Sequence, residues 1–243
     1  MNIIERITKS DKDIFDGKSN LQKISLERLR ANPIPNCKNE IWRQTNKSKF
    51  SRFLDFKFSN DFYYPQIPGH SNIQNTYRII IGENKEIYLK EKKWEIKELE
   101  EKEILNFLKQ KIIQSDTTQN WSNLLNHFLT DRKNIVGLNI SGKEIPYLEI
   151  ICNSVNDFFN SKTLIINIEE GTSVSISQIN IGDKNSALSI SSYLNIEEDS
   201  VVNHGIISFG TNKSHIINTL NVSQYKNSEY NLGSLQFEYD FGR

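Results

Sequence analysis

The segment NIEEGTSVSI, residues 167–176, returns as a near copy, NIEEDSVVNH, at residues 195–204. The copies begin 28 residues apart, and each joins an acidic turn to a run in which apolar and polar residues alternate. Alternation with a period of two is typical of a β-strand with one buried face. A single strand-and-turn unit cannot bury its apolar face alone, so a repeated unit favours stacked coils around a continuous core. The sequence therefore predicts a β-solenoid with coils of about 28 residues.

The same character extends through the second half of the chain. From about Ile135 onward, short β-rich runs follow one another, punctuated by Gly171, Gly182, Asp199 and Gly210, without an intervening helical pattern. We predict that residues 134–243 form this β-helix core, incomplete at its C-terminal end. A β-sandwich or meander would use similar strands joined by hairpin turns and stays open as the alternative.

Residues 1–133 have a different pattern and predict a mixed, mostly helical region. Apolar residues at helical spacing predict helices in residues 23–30, 94–114 and 120–129. Residues 76–90, TYRIIIGENKEIYLK, predict two strands joined by a turn at GENK. The fold class predicted for the whole chain is α+β.

Composition and charge exclude several classes of protein. Thirty Lys and Arg balance 30 Asp and Glu, which argues against a nucleic-acid or membrane-surface protein because both depend on basic excess. Two cysteines are too few for a disulfide framework. The charged start does not read as a secretory signal, and no run approaches the roughly 18 apolar residues of a membrane span. We expect a cytoplasmic location.

Metal-ligating residues are sparse. His204 and His215 fall in the predicted solenoid, where neighbouring rungs could bring them together, and Cys37 lies in a loop rich in Pro and Asn. A zinc or iron site needs three or four ligands, so these three are weak candidates and we expect no metal site. The alternative for the histidines is a polar, outward-facing position. Cys152 follows an apolar run and is expected to be a small core residue.

Catalytic motifs are also missing from the sequence. Nucleotide-binding loops, nucleophile elbows and zinc-protease motifs are not found. Parallel β-helices host carbohydrate-active enzymes, which use paired carboxylates, and acidic pairs recur at residues 169–170 and 197–198. These pairs fall at corresponding turn positions, where solvated acids are expected, so we predict that the chain is not an enzyme.

Two places in the sequence are candidates for an interface. Trp42 beside Arg43 has the composition of an interface hot spot, although Trp42 could instead anchor the N-terminal segment. In SLQFEYDFGR, residues 234–243, apolar residues alternate as in a single strand. If this strand ends the solenoid, Phe237 and Phe241 would be exposed on its last rung.

Five phrases, taken in order, resemble the SufB/SufD family of iron–sulfur cluster assembly scaffolds, and within it the SufD branch. The phrases are PNCKNEIWRQTNKSKF at 35–50, NIVGLNISGKEIPYLEI at 134–150, TLIINIEEGTSVSI at 163–176, NIEEDSVVNH at 195–204 and HIINTLNVSQYKNSEYN at 215–231. The resemblance implies a mostly helical region followed by a right-handed parallel β-helix. It also implies a scaffold subunit that works beside a SufB-like subunit and a SufC-like ATPase, which is the partner that uses nucleotide.

The chain departs from the family pattern in length. Family members are considerably longer, and their cluster-related Cys and His positions and their ATPase contact lie in later segments without a counterpart here. No site residue is therefore carried over, and an iron–sulfur cluster is expected only at the level of the complex. A fragment and a shortened member both stay open. The alternative functions are a parallel β-helix carbohydrate-active enzyme and a β-solenoid that binds partners.

Overall fold

A computed structural model describes residues 3–8, 19–31, 34–35, 42–59, 76–81, 85–87, 95–114, 121–131, 133–143, 145, 147–211 and 213–243. The helices are α1 (Ile3–Thr8), α2 (Asn20–Ala31), α3 (Lys47–Asp55), α4 (Glu101–Gln114) and α5 (Trp121–Phe128). The strands are β1 (Lys57–Phe58), β2 (Thr76–Ile80), β3 (Lys85–Ile87), β4 (Glu95–Glu98), β5 (Ile135–Ser141), β6 (Tyr147–Asn153), β7 (Phe158–Ile168), β8 (Ser173–Gly182), β9 (Ala187–Ile196), β10 (Val201–Gly210), β11 (His215–Gln224), β12 (Glu229–Phe237) and β13 (Phe241–Gly242).

From β5 to β12 the chain winds into a parallel β-helix of about four turns. Successive strands alternate between two sheets. Sheet I has the order β13-β11-β9-β7-β5-β4, with β1 on β7, and sheet II has the order β12-β10-β8-β6-β2-β3. Each residue pairs with the one 28 positions away, as in Asn167 with Asn195, so the NIEE turns stack as predicted. Parallel pairing excludes the hairpin-built sandwich and confirms the predicted α+β fold with a β-helix.

Each coil consists of two similar halves. Strands β8 to β12 begin 14 residues apart, at Ser173, Ala187, Val201, His215 and Glu229. Each turn from the one before β7 to the one before β12 contains one residue with positive φ, and these residues recur every 14 positions: Asp157, Gly171, Asn185, Asp199, Lys213 and Asn227. Gly, Asn and Asp tolerate this conformation best, which explains why five of these six positions hold them.

A hydroxyl residue follows most of these positions and closes the turn. Ser186, Ser214 and Ser228 each donate their hydroxyl to the backbone carbonyl three residues earlier. Asparagine side chains join the coils along sheet I, because Asn195 donates to Asn167 at 2.7 Å and Asn167 donates to Asn139 at 2.8 Å. Inside the helix, Ile, Leu and Val side chains from both sheets pack into one core.

The N-terminal region does not form a separate body. β2 pairs in parallel with β6, and β4 pairs antiparallel with β5, so residues before 134 contribute strands to both sheets. The helices pack on the outer face of sheet I around a second core that includes Phe53, Trp121, Phe128 and Phe159. A boundary between residues 133 and 134 therefore marks a change of pattern and does not separate two independent units.

The predicted helix at 94–114 is wrong at its start. Residues 95–98 form β4, and the helix begins at Glu101. Pairing with β5 satisfies the backbone of this strand, while the Glu103 side chain accepts from the backbone N–H of Glu100 at 2.7 Å and begins the helix there. The helices predicted in 23–30 and 120–129 and the strand pair β2–β3 are confirmed. Helix α3 was not predicted; it begins after Asn46, whose side chain accepts from the N–H of Lys49.

Candidate functional site

An exposed apolar surface lies on the last coil of sheet II. We call it the terminal-coil surface and define it by Ile207 and Phe209 of β10 and Leu235 and Phe237 of β12. Their exposed fractions reach 39% at Ile207, 65% at Leu235 and 49% at Phe237. The rings of Phe209 and Phe237 stack with centroids 6.1 Å apart. A contiguous exposed apolar group of this kind indicates a binding surface.

The register of the parallel strands produces this surface. Ile151, Ile179, Ile207 and Leu235 occupy one column across β6, β8, β10 and β12. The first two are buried, with 1% and 7% exposed, and the last two are open. Aliphatic residues in one column are thus buried on the first two strands and exposed on the last two. The sequence alone did not identify Ile207 and Phe209; the 28-residue spacing from Ile179 and Ile181 was the available signal.

The edge of β12 adds a second property to the terminal-coil surface. Within the part of the chain that the structure describes, β12 is the last strand of sheet II and pairs only with β10. Its outer edge therefore offers backbone N–H and C=O groups to another strand. The inward-facing Leu232 of β12 is also 49% exposed. Strand pairing and apolar contact are thus both available at this end.

Phe237 is exposed as predicted, but Phe241 is not. Residues 234–243 do not form one strand, since the chain leaves sheet II after Phe237 and turns at Glu238, where φ is 64°. It then pairs with β11 of sheet I, which buries Phe241 beneath α3 against Phe50 and Phe53. With 6% of its side chain exposed, Phe241 belongs to the core. The expectation that it faces a partner is corrected.

Trp42 is also a core residue and not an interface residue. Its side chain is 2% exposed and packs on Phe50 at a centroid distance of 5.0 Å. The guanidinium of Arg243 covers its ring at 4.0 Å, and Arg243 also donates to Thr45. The anchoring alternative considered for Trp42 is therefore the observed one. Arg43 is exposed, and Cys37 lies outside the described residues.

The two histidines do not meet. His204 lies on sheet II with its Nδ1 3.0 Å from the hydroxyl of Tyr230, whereas His215 lies on sheet I beside Phe56 and Phe241. Both are 3% exposed, so neither is solvated. His204 points into the solenoid, whereas His215 points outward from sheet I and is covered there by Phe56 and Phe241. Burial lowers the pKa of His204 to about 4, which leaves it neutral at pH 7. Among the described residues, no group of three or more His, Cys, Asp or Glu could hold a metal ion.

Cys152 and the turn acids occupy the places that the sequence predicts. Cys152 is fully buried in the solenoid core, and burial raises the pKa of its thiol to about 12, so it is not a ready thiolate. Glu169, Glu170 and Glu198 are exposed at stacked turns, where the N–H of Glu197 bonds to the carbonyl of Ile168 one coil earlier. Their exposed turn positions are those that the sequence predicts.

Comparison of the chain with family models, with curated proteins and with solved structures found no match. Among the helices of the described residues, none is long and apolar enough to cross a bilayer.

Proposed function

We propose that this chain is a non-enzymatic scaffold subunit of iron–sulfur cluster assembly, similar to SufD. In this proposal it works in the cytoplasm with a SufB-like subunit and a SufC-like ATPase. Two lines support it: the ordered phrases that resemble the SufB/SufD family, and a parallel β-helix of the kind that the resemblance implies. The observation that carries the proposal is the terminal-coil surface, because a scaffold acts through the subunits that it holds.

The proposed contact extends sheet II into the partner. The free edge of β12 would pair with an edge strand of the SufB-like subunit, and main-chain hydrogen bonds would set the register. Leu235 and Phe237 would lose their contact with water as the sheets join. The iron–sulfur cluster is the cargo of the assembled complex, and the nucleotide belongs to the ATPase subunit.

A groove on sheet II supports carbohydrate binding as an alternative function. The groove measures about 620 Å³ and runs beside Tyr147, Ser175, Asn203 and Asn231. Amide, hydroxyl and phenol groups suit a sugar, but the described lining contains no carboxylate pair for glycoside cleavage. This alternative predicts that an oligosaccharide binds saturably and is not cleaved. The scaffold proposal predicts no such binding.

The test is complex formation with a purified SufB-like subunit from the same organism, followed by size-exclusion chromatography with light scattering. We expect a stoichiometric complex, and we expect a Leu235→Glu, Phe237→Glu variant to bind at least about tenfold more weakly, since two charges would be placed against an apolar face. Ile34→Glu is the control, because Ile34 is another exposed apolar residue, 39% exposed, and lies in the N-terminal region. Absence of a complex, or equal losses in both variants, would contradict the proposal.

Without a partner, the same surface should drive self-association. Sedimentation of the unmodified chain across a concentration series should show reversible growth in mass, and the Leu235→Glu, Phe237→Glu variant should stay monomeric. A chain that is monomeric at every concentration would contradict the claim that the terminal-coil surface drives self-association.

A further inference from the structure

A second cavity lies where α3 meets one set of solenoid turns. It measures about 390 Å³. Three elements build its wall: α3 supplies Arg52 and Asp55, the turns and strand of the solenoid supply Asn185, Lys213 and His215, and the segment before β13 supplies Asp240. The charges thus come from distant parts of the sequence, and only the fold brings them together.

The charge balance around this cavity is positive. Lys49 forms an ion pair with Asp240. The Nζ of Lys49 lies 3.0 Å from the Asp240 carboxylate and 2.6 Å from the Asp240 backbone carbonyl. The hydrogen bond from Lys49 lowers the pKa of Asp240, so this pair carries no net charge at pH 7. Among the other described residues of the wall, Arg52 and Lys213 carry positive charge and Asp55 is the one carboxylate. Among the residues that the structure describes, neither cation has an ion-pair partner within 4 Å.

His215 forms the inner part of the wall and is held in one orientation. Its ring lies between Phe56, at a centroid distance of 5.6 Å, and Phe241, at 6.2 Å. Its Nε2 is 3.8 Å from the Asp240 carboxylate, which is beyond hydrogen-bond distance, and its buried Nδ1 has no partner among the described residues. The His215 side chain is 97% buried, and its unpartnered Nδ1 carries a desolvation cost that an oxygen ligand would offset.

Lys213 departs from the pattern of the other turns. It holds the positive-φ position, at φ 63°, that Asn185 holds one coil earlier and Asn227 holds half a coil later. An Asn is better suited to this conformation than a Lys. The ammonium group is therefore present at a position where the fold itself would favour another residue.

We propose that this cavity binds a small oxyanion of the phosphate class. The planar guanidinium of Arg52 matches two phosphate oxygens, Lys213 adds a point charge, and the imidazole of His215 supplies a hydrogen bond from the inner wall. The volume exceeds that of a bare phosphate ion and lies within the range of small-ligand pockets, so a phosphate group on a small organic molecule also fits. This inference is independent of the scaffold proposal.

Calorimetric titration of the full 243-residue chain at low salt tests the site, with inorganic phosphate in one arm and glycerol phosphate in the other. We expect one saturable site per chain. Tighter binding of glycerol phosphate would identify an organic phosphate as the ligand, and binding of inorganic phosphate alone would identify the free ion. Absence of saturable binding in both arms would overturn the proposal.

The variants are chosen to leave the fold intact. Lys213→Asn restores the residue that neighbouring turns already use, and Arg52→Gln changes an exposed helix position; each should weaken binding about tenfold or more by removing a charged partner. Asp55→Asn should tighten binding, a gain that a purely structural role does not predict. Lys226→Gln removes an equal charge from the turn at the other end of β11 and should leave binding unchanged. An equal loss in Lys226→Gln would show general charge attraction and contradict the site.

Discussion

The outer faces of the two sheets have similar residues, but many outward residues that are buried on sheet I have exposed counterparts on the later coils of sheet II. On sheet I, Ser191 and Tyr193 of β9 are buried beneath the helices. On sheet II, Ser175 and Asn203 are exposed, and so is Ile207. Both sheets alternate in the same way and have the same coil length. The difference shows that the period of a strand identifies which residues point outward but not whether another element covers them.

Polar side chains on sheet I are used to hold a helix. Asn126 of α5 donates to Ser191 at 2.7 Å and accepts from Ser161 at 2.9 Å. Ser191 in turn donates to Asn123 at 2.7 Å, one helical turn earlier. Outward Ser and Asn residues suggest a solvated face, but on sheet I they are the partners of α5. Their hydrogen bonds offset the free-energy cost of burying them.

The largest expected effect is a difference in stability between two variants, each of which removes one aromatic side chain from one of the two outer faces. Trp121→Ala removes a side chain that is 1% exposed between α5 and sheet I and should lower the free energy of unfolding by about 3–5 kcal/mol. Phe237→Ala, on the terminal-coil surface, should change it by less than about 1 kcal/mol because this ring is already half exposed. Urea denaturation of both variants measures the two values. Equal losses would mean that sheet II is covered as tightly as sheet I.

Acid should weaken the contact of α5 with sheet I. His127 is buried, its Nε2 lies 2.9 Å from the hydroxyl of Tyr193, and burial lowers its pKa from 6.5 to about 3. Above pH 6.5 this residue is neutral in both the folded and the unfolded chain and adds no pH dependence. As pH falls from 6.5 towards 3, the unfolded chain binds a proton that the folded chain does not, so stability should fall by up to about 1.4 kcal/mol per pH unit.

The control for this pH effect is His127→Gln. It should be less stable than the unmodified chain at pH 7, but its stability should depend less steeply on pH between 6.5 and 4, because one proton-binding group is gone. Guanidinium denaturation at several pH values gives both slopes. Parallel slopes would contradict the assignment of His127 as a neutral, buried group.

The smallest expected effect compares two glycines. A Cβ at Gly137, on the outer face of sheet I, would meet Ile104 and Leu99 at 2.9 Å, so Gly137→Ala should cost about 1–3 kcal/mol as α4 shifts. A Cβ at Gly233, on sheet II, would meet nothing within 4 Å, and Gly233→Ala should be neutral or stabilising by about 0.4–1 kcal/mol. Thermal unfolding of the pair provides the measurement. A destabilised Gly233→Ala would indicate an element packed on sheet II.

Sequence reasoning identified the coil length and the stacked turns because both are repeated local signals. The 14-residue half-coil was missed, although Ser or Thr follows the positive-φ residue at 172, 186, 200, 214 and 228. This signal is weak in any one turn and clear only when the turns are aligned. Residues 95–98 were assigned to a helix because their charges continue the pattern of α4, and only the pairing with β5 distinguishes them as a strand.

The candidate sites depended far more on tertiary structure. Phe237 was predicted as exposed and is exposed, but Phe241 and Trp42 share its residue class and are buried. His204 and His215 are near each other in sequence and lie on different sheets. The lysine and arginine of the cavity beside α3 are 161 positions apart in sequence, from Arg52 to Lys213, and no local pattern links them.

The sequence by itself determined the 28-residue period and the alternation, and these favour stacked coils because every coil then buries its inward side chains against the next. The parallel pairing in the structure excluded the sandwich. Tertiary structure decided which outer face is covered, where the last strand leaves sheet II, and which charges meet at α3. The physical reason is that alternation and turn chemistry act over a few residues, whereas the covering of a sheet depends on helices distant in sequence that bury apolar area only once the sheet exists.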